Sequence, residues 1–469
     1  MTDPDEQRFR LHPETSGRDA TGRVVSSAVV VDSAAAILEA NSGETFSGDA
    51  ARGSSAARHY ARAVCFIPDE HATSTVLQIL QSIDRGTPFC VTPAYFDCSS
   101  FVDVDDVMPA PSEGGSGNDS RCHLPATCKP PQFQCLSSGT SGAVRRIQRS
   151  HQSWIRSFEV NASLLNLSID DSYAIVGNLS HSLPLYAVLE ACYLGADVQL
   201  LGGLRPDRQL QVISGQGTTV LYLTPTQARQ LCRLQTGEPP LAPGVRHVLC
   251  GGGKLDDKTR RALEKIFTEA SIIEFYGASE TSFITMSDEQ SPPGSVGRAY
   301  PGVSLKILDA CSLPTSEVGE VWVRSEYLFT GYVQGDWRDT QQDDGYLSIG
   351  ELGRLDPQGN LYLCGRKSRQ ANVADTKVFL EEIEGVLLQH AAVQHCVVVT
   401  RQDAMRGEYL VAVVQGSHDD GLRAELLKYA RQQLGATLAP KQILFVEVLP
   451  CLAAGKPDIR QIQSMVASL

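Results

Sequence analysis

The sequence predicts an α/β protein: a large N-terminal domain of wound αβ sheets with a small β-rich subdomain, followed by a small α+β C-terminal domain. Three observations carry this. Between residues 60 and 290, helix-like apolar runs alternate with short apolar strands, as βα units do. From about residue 294 the strands shorten and are separated by hairpin-type turns. Beyond residue 369 a compact tail alternates helix and strand over a length sufficient for its own domain.

Residues 1–60 are weakly patterned and rich in Ala, Ser, Gly and charge. The segment SYAIVGNLSHSLPLYAVLEACYLGADVQLL reads strand, loop, helix, strand. TTVLYLTPTQARQLCRL reads strand then helix, and GVRHVLCGGG is a strand ending in glycines. VSLKILD, GEVWVRS and GYLSIGELGRLDPQGNLYLCG supply the short strands and hairpins of the subdomain. After GRKSRQ come helix (EEIEGVLLQH), strand (QHCVVVT), strand (EYLVAVVQG), helix (LRAELLKYARQQLG) and strand (QILFVEVLP). The expected divisions are 1–60, 61–365, a joint at 366–369, and 370–469.

Of the 469 residues 42% are hydrophobic and 20% charged, an ordinary balance for a globular protein. The formal net charge of -13 argues against a general nucleic-acid or anionic-membrane binder, so any anionic ligand must be held by local cations. The polar start MTDPDEQRFR and the absence of a bilayer-length apolar run give no sign of a signal peptide or membrane span, and a cytoplasmic location is expected. The 13 cysteines, an odd number mostly set singly in apolar runs, fit a reducing compartment. Cys122, His123, Cys128 and Cys135 lack a Cys-x-x-Cys knuckle and read as buried or loop thiols rather than zinc ligands.

Chemistry concentrates in a few stretches. CLSSGTSGAVRRIQRSH, residues 135–151, follows an apolar strand and joins small hydroxyl residues and glycines to Arg145, Arg146 and Arg149. Backbone N–H groups, hydroxyls and cations together suit a polyphosphate, although an ordinary surface turn is an equal reading of this stretch alone. It is not a Walker loop, since Gly142 is followed by Ala143 and Val144. PSEGGSGNDS, residues 111–120, has similar small residues without apolar run or cation and reads as a linker. IIEFYGASE ends a strand with Tyr276 and Glu280, suited to a base and a divalent cation but equally to a half-buried tyrosine and a solvated carboxylate. Glu351 follows a glycine turn, where it suits ribose hydroxyls or a charged hairpin, and Lys456 stands on a Gly-Lys turn near the C-terminus, where a lone lysine is ordinarily a solvent-exposed one. Ligands in wound α/β sheets sit at the carboxyl ends of strands, the expected place of Ser137 to Gly142, Gly251 to Gly253 and Tyr276 to Glu280.

In their order and spacing these stretches resemble the adenylate-forming superfamily of acyl-CoA synthetases, stand-alone aryl-acid and amino-acid adenylating enzymes, and luciferases. SSGTSGAVRRI is similar to the family's phosphate loop, Ser-Gly-Thr-Thr-Gly-x-Pro-Lys-Gly, and FYGASE to Tyr-Gly-x-Thr-Glu. IGELGRLDPQGNLYLCGRKSRQ resembles Thr-Gly-Asp followed by Gly-Arg, and AAGKPDIR resembles Ser-Gly-Lys-Ile-x-Arg. SVGRAYPGVSLKILD, VGEVWVRSEYLFTGY and KVFLEEIEGVLLQH also match in order, so the likeness spans residues 70 to 465.

The resemblance implies ATP-dependent activation of a carboxylic acid to an acyl-adenylate, with Mg²⁺ as cofactor and CoA or a carrier-protein phosphopantetheine as thiol acceptor. It implies that Ser137, Ser138, Gly139, Thr140, Ser141 and Gly142, with Arg145, hold the phosphates, and that Glu280 and Thr140 bind the metal. Tyr276 would stack on adenine, with the backbone of Gly251, Gly252 and Gly253 on its other side and Gly277 and Ser279 also at the nucleotide, while Glu351 and Arg366 bind ribose. Lys456 is the implied catalytic lysine, carried on a mobile C-terminal domain that turns about Ser368. His181, Ser182 and Ala278 are the implied pocket for the acid. The partners implied are a small carboxylic acid and an acyl or aryl carrier protein.

Several positions depart from the family's pattern. Arg145 replaces a lysine, Glu351 an aspartate, Ser368 an Asp or Lys, and Asp375 a glycine beside the thiol path. The last bears on the thioester step more than on adenylation. No aspartate lies between Asn178 and Tyr186 to pair an α-ammonium, which demotes a free α-amino acid, and Ser182 stands where an asparagine would address an ortho hydroxyl. An amine acceptor and a non-catalytic, ligand-binding relative are the competing readings. Arg366, Lys367 and Arg369 form a basic patch that could meet the phosphates of CoA or a carrier arm.

Overall fold

The computed structural model describes the strand segments at 28–29, 64–66 and 89–91, residues 76 and 79, and then residues 132–138, 144–233, 242–334, 339–373, 376–403, 407–451 and 457–468. In the first half the strands are β1 (Ala28–Val29), β2 (Val64–Phe66), β3 (Phe89–Val91), β4 (Gln132–Ser138) and β5 (Val144–Ser150). They are followed by α1 (Gln152–Leu165), β6 (Ser172–Ile175), α2 (Ser182–Leu194), β7 (Asp197–Leu200), α3 (Pro206–Gly215) and β8 (Val220–Leu223). Next come α4 (Pro225–Arg233), β9 (His247–Gly251), α5 (Asp257–Ile266), β10 (Ser271–Ala278), β11 (Ser282–Met286) and β12 (Arg298–Ala299).

Eight of these strands make one sheet, in the order β1-β7-β6-β8-β9-β10-β11-β12. The five from β7 to β10 are parallel, with helical crossovers between consecutive ones, and the outer strands run antiparallel. Runs such as YAIV and VLYL are continuously apolar because both faces of this sheet are covered. Alternate residues divide between two cores: Tyr173, Ile175 and Tyr222 enter one, Ala174, Leu221 and Leu223 the other. The second sheet, β15-β5-β4-β3-β2, includes β15 (Gly331–Gln334) from much later in the chain. The strand before the phosphate-type loop therefore does not belong to the wound sheet. It forms an antiparallel hairpin with β5, and residues 139–143 join the two.

The β-rich part adds β13 (Ser304–Leu308), β14 (Gly319–Arg324), β16 (Gln341–Asp343), β17 (Tyr346–Leu355) and β18 (Leu361–Arg366). They pair as β13-β14-β17-β16, with β18 on β17. Here the structure corrects the expectation of a glycine turn before Glu351: residues 346–355 are one strand, which runs through Gly350 at φ 74°.

After a 3₁₀ turn at Lys367–Arg369, β19 (Gln370–Val373) and β20 (Thr376–Phe379) make a short hairpin. α6 (Leu380–Leu388), β21 (Cys396–Asp403), β22 (Gly407–Gln415), α7 (Asp420–Leu438), β23 (Gln442–Val446) and α8 (Ile459–Ala467) complete the chain. β21, β22 and β23 form a three-stranded sheet. Val398, Ala412 and Val414 pack on the side of α6 and α7, while Val397, Val399 and Val413 pack against Ile462 and Val466 of α8. No helix among the described residues is long and apolar enough to cross a membrane.

Candidate active site

The site is built around the short turn from β10 to β11. Gly277 is required there, because a Cβ would lie 2.1 Å from the Ser282 carbonyl oxygen. Within the turn the Ala278 N–H donates to Thr281 Oγ1 (3.1 Å), the Thr281 N–H to the Ala278 carbonyl (3.2 Å), and the Phe329 N–H to the Glu280 carbonyl (2.8 Å). Glu280 is buried. Its Oε1 accepts the Tyr332 hydroxyl at 3.1 Å and faces Arg145 Nη1 at 3.7 Å. Arg145 lies with its guanidinium 5.9 Å from the centre of the Tyr332 ring, and the Tyr332 hydroxyl is also 2.7 Å from Thr340 Oγ1.

The three arginines of residues 135–151 are strand residues of β5 rather than loop cations, and all three are buried. Strand alternation puts Arg145, Ile147 and Arg149 on one face. Arg145 reaches Glu280, whereas Arg149 donates to the Ser279 carbonyl, Ser282 Oγ and the Tyr327 carbonyl. Burial lowers the Arg149 pKa to about 10. Arg149 was not singled out from the sequence as a site residue; a cation two strand periods from Arg145 was the available signal.

Glu351 and Arg366, expected at one ribose, are brought together: Arg366 Nε lies 2.8 Å from Glu351 Oε1 across the β17–β18 pair. Burial is the largest influence on Arg366 and opposes its charge, but the charge and hydrogen bond of Glu351 with the charges of Tyr276 and Glu280 together outweigh it, so the pKa rises. Tyr276 sits close enough to feel the charges of Glu351, Arg366 and Glu280, and among the described residues its hydroxyl has no hydrogen-bond partner. Gly251 ends β9 against the ring of Phe275, where a Cβ would lie 2.2 Å from Cζ; Gly252 and Gly253 are exposed beyond it.

His181 and Ser182 begin α2 beside the same turn. The His181 backbone bridges Leu136 of β4, and Ser182 Oγ is 2.7 Å from Ser279 Oγ. Cys135 lies beneath, buried, with its thiol pushed up to about 11 by that burial. Ala278 and Ser279 are half-buried in the turn, as is Ser137 at the end of β4. Ser138 closes β4, while Gly139, Thr140, Ser141, Gly142, Asp375 and Lys456 lie outside the described residues, as do Cys122, His123 and Cys128.

Ser368 is exposed in the middle of the 3₁₀ turn. Its neighbours correct the expectation of a free basic patch. Arg366 pairs with Glu351, Lys367 with Glu320 at 3.3 Å, and Arg369 with Glu384 at 2.8 Å and Glu381 at 3.5 Å. The first two are tied to the β-rich part and the third to α6, leaving Ser368 between the two sets of ion pairs.

The described residues thus bring a buried carboxylate on a glycine turn, Glu280 with Arg145, close to a tyrosine and a second Glu–Arg pair, Glu351 with Arg366. Comparison with known proteins says which family builds such a site. Residues 61–333 match the AMP-binding enzyme family and residues 382–456 the AMP-binding enzyme C-terminal domain. The chain is 30% identical to the uncharacterised acyl-CoA ligase YhfT of Bacillus subtilis over 70% of this chain and 67% of that one. It is 29% identical to the salicyl-AMP ligase / salicyl-S-ArCP synthetase of Mycobacterium tuberculosis over 75% of this chain and 63% of that one. Among solved structures, ATP-bound MatB of Rhodopseudomonas palustris shares the fold at TM-score 0.69 and 20% identity, over 92% and 91% of the two chains. The chain belongs to the AMP-binding enzyme family, within the adenylate-forming superfamily. It is an AMP-forming ligase that activates a carboxylic acid as its acyl-adenylate.

Proposed function

We propose that this site activates a small aryl or acyl carboxylic acid with Mg·ATP and passes the acyl group to a thiol. The observation that carries the reading is the convergence of two charged pairs, Arg145–Glu280 and Arg366–Glu351, near Tyr276, which feels Glu351, Arg366 and Glu280. A carboxylate is a poor electrophile, so a carboxylate oxygen of the acid attacks the α-phosphorus of ATP. The α–β phosphoanhydride bond breaks and pyrophosphate leaves. Two anions must meet, so the protein's contribution is positioning and charge neutralisation.

In this reading Ser137 to Gly142 and Arg145 hold the phosphates, Tyr276 and the Gly251 to Gly253 backbone flank adenine, and Glu351 with Arg366 takes the ribose. The residues fit a magnesium ion. Among the described residues both contacts of Glu280 fall on Oε1, which leaves Oε2 as a hard oxygen donor, and Mg²⁺ commonly takes one or two carboxylates with substrate phosphates. When bound, Mg²⁺ neutralises phosphate charge; Glu280, and Thr140 with it, would hold it. Lys456 stabilises charge on the acid and the α-phosphate, carried by a C-terminal domain, residues 370–469, that turns about Ser368.

The names of the relatives support a thiol acceptor, one being an acyl-CoA ligase and another charging an aryl carrier protein. In the second step the thiolate attacks the acyl carbon and AMP departs. His181, Ser182 and Ala278 border the acid.

The test is acid-dependent exchange of pyrophosphate into ATP across aryl, fatty and amino acids without CoA. Exchange with an aryl or fatty acid is expected. Silence across the panel with ATP binding intact would replace this reading with that of a non-catalytic binder. Lys456→Ala is expected to lower exchange by on the order of a hundredfold or more with the melting temperature unchanged, and near-normal activity would remove Lys456 from the site.

A further inference from the structure

The Arg149 side chain is fully buried on β5, yet no carboxylate lies within ion-pairing distance of it among the described residues. Its two terminal nitrogens are committed to three oxygens. Nη1 donates to the Ser279 carbonyl, while Nη2 donates to Ser282 Oγ at 2.6 Å and to the Tyr327 carbonyl. The guanidinium carbon lies over the Trp154 ring on α1, 5.6 Å from its centre. A buried cation held this way has little freedom, because any other orientation leaves its charge unsolvated.

Two of its three acceptors bracket Glu280, one residue before it and two after. The later one, Ser282, has φ 57°, a left-handed conformation that a residue with a Cβ rarely adopts without being held there. The clamp also reaches Tyr327, two residues before Phe329, whose N–H binds the Glu280 carbonyl.

We infer that Arg149 is a positioning residue: through the Ser279 carbonyl and the left-handed Ser282 it fixes the backbone from which Glu280 projects. The inference rests on the reading of Glu280 as the residue that holds Mg²⁺ of Mg·ATP. Both terminal nitrogens of Arg149 are committed to protein oxygens, so its expected effect is on the metal requirement rather than on direct nucleotide recognition.

The experiment measures ATP binding to the full chain by calorimetry across a range of Mg²⁺ concentrations with no acid present, alongside pyrophosphate exchange with any acid the wild type accepts. In Arg149→Met the Mg²⁺ concentration needed for half-maximal binding should rise about tenfold, and exchange should fall by roughly ten- to a hundredfold. Arg149→Lys, which keeps the charge but loses the planar fork, should shift in the same direction. Adding Ser282→Gly to Arg149→Met should recover part of the loss, since glycine takes the left-handed turn unaided. A merely structural arginine would show no such recovery in the Mg²⁺ requirement.

A folded Arg149→Met or Arg149→Lys with a wild-type Mg²⁺ requirement overturns the inference. Should neither fold, Ser282→Ala removes one acceptor without touching the cation and decides it: a raised requirement supports the clamp, an unchanged one overturns it. Wild type that binds Mg·ATP but shows no acid-dependent exchange would defeat the ligase reading while leaving the binding result to judge Arg149.

Discussion

Glu190 and Glu280 are both buried carboxylates of the large domain, and their surroundings are opposite in kind. Glu190, on α2, is ringed by neutral donors: Tyr222 OH at 2.6 Å, Asn161 Nδ2 at 2.7 Å, Tyr186 OH at 3.2 Å and Tyr173 OH at 3.3 Å. Tyr300 extends the network by donating to Asn161 Oδ1 at 2.7 Å. Glu280 has one tyrosine and the charge of Arg145, with Arg149 nearby. Burial pushes the Glu190 pKa up to about 7, even though the hydrogen bonds from Tyr222, Asn161 and the other tyrosines favour its charged form. Hydrogen bonds from neutral groups tie α1, α2, β6 and β8 into one core around Glu190, whereas Glu280 faces a cation, Arg145, on a turn beside Tyr276. A buried carboxylate alone therefore says little about function; the charge of its neighbours separates the two uses.

The largest expected effect comes from removing the charge of Glu280. Glu280→Gln should lower exchange by on the order of a hundredfold or more while leaving a folded protein. Measured alongside, Glu190→Gln should leave exchange per folded molecule within about threefold. Equal losses from the two would break the contrast.

Glu190 should instead register in stability. Its folded pKa of about 7 lies above the ordinary 4.5, so the unfolded chain gives up its proton first. The sign follows: stability falls as pH rises from about 4.5 to about 7 and then levels, by a total on the order of 3 kcal/mol. Urea unfolding of wild type at pH 5 and pH 8 should show this slope, with Glu190→Gln nearly flat. A parallel slope in the variant would assign the pH dependence elsewhere.

How much of this could be read from the sequence depended on how local the determinants are. The C-terminal elements from α6 to β23 lie where alternation of helix and strand runs placed them, because each is a strongly patterned segment with its own turn. The pairing of β5 with β15 was not readable, since it joins residues almost two hundred positions apart through no pattern in either. Of the site, the Tyr276 to Glu280 turn and the Glu351–Arg366 pair were legible as motifs. That the arginines after the phosphate-type loop belong to a buried strand was not: three cations beside glycines look like a solvated loop until a second sheet covers them.

The smallest effect should come from the neutral tether across the site. Ser182 Oγ and Ser279 Oγ, 2.7 Å apart, join the start of α2 to the turn that carries Glu280, yet either hydroxyl can turn to another partner when its mate is lost. A neutral hydrogen bond of this kind is worth about 1 kcal/mol net, so Ser182→Ala should change exchange by at most on the order of fivefold and leave the Mg²⁺ requirement unmoved. Arg149 and Ser182 hold the same turn, one through the Ser279 carbonyl and Ser282, the other through the Ser279 hydroxyl. If Ser182→Ala shifted the Mg²⁺ requirement as far as Arg149→Lys does, the turn would be set by total tethering rather than by the buried cation, and the special place given to charge around Glu280 would be lost.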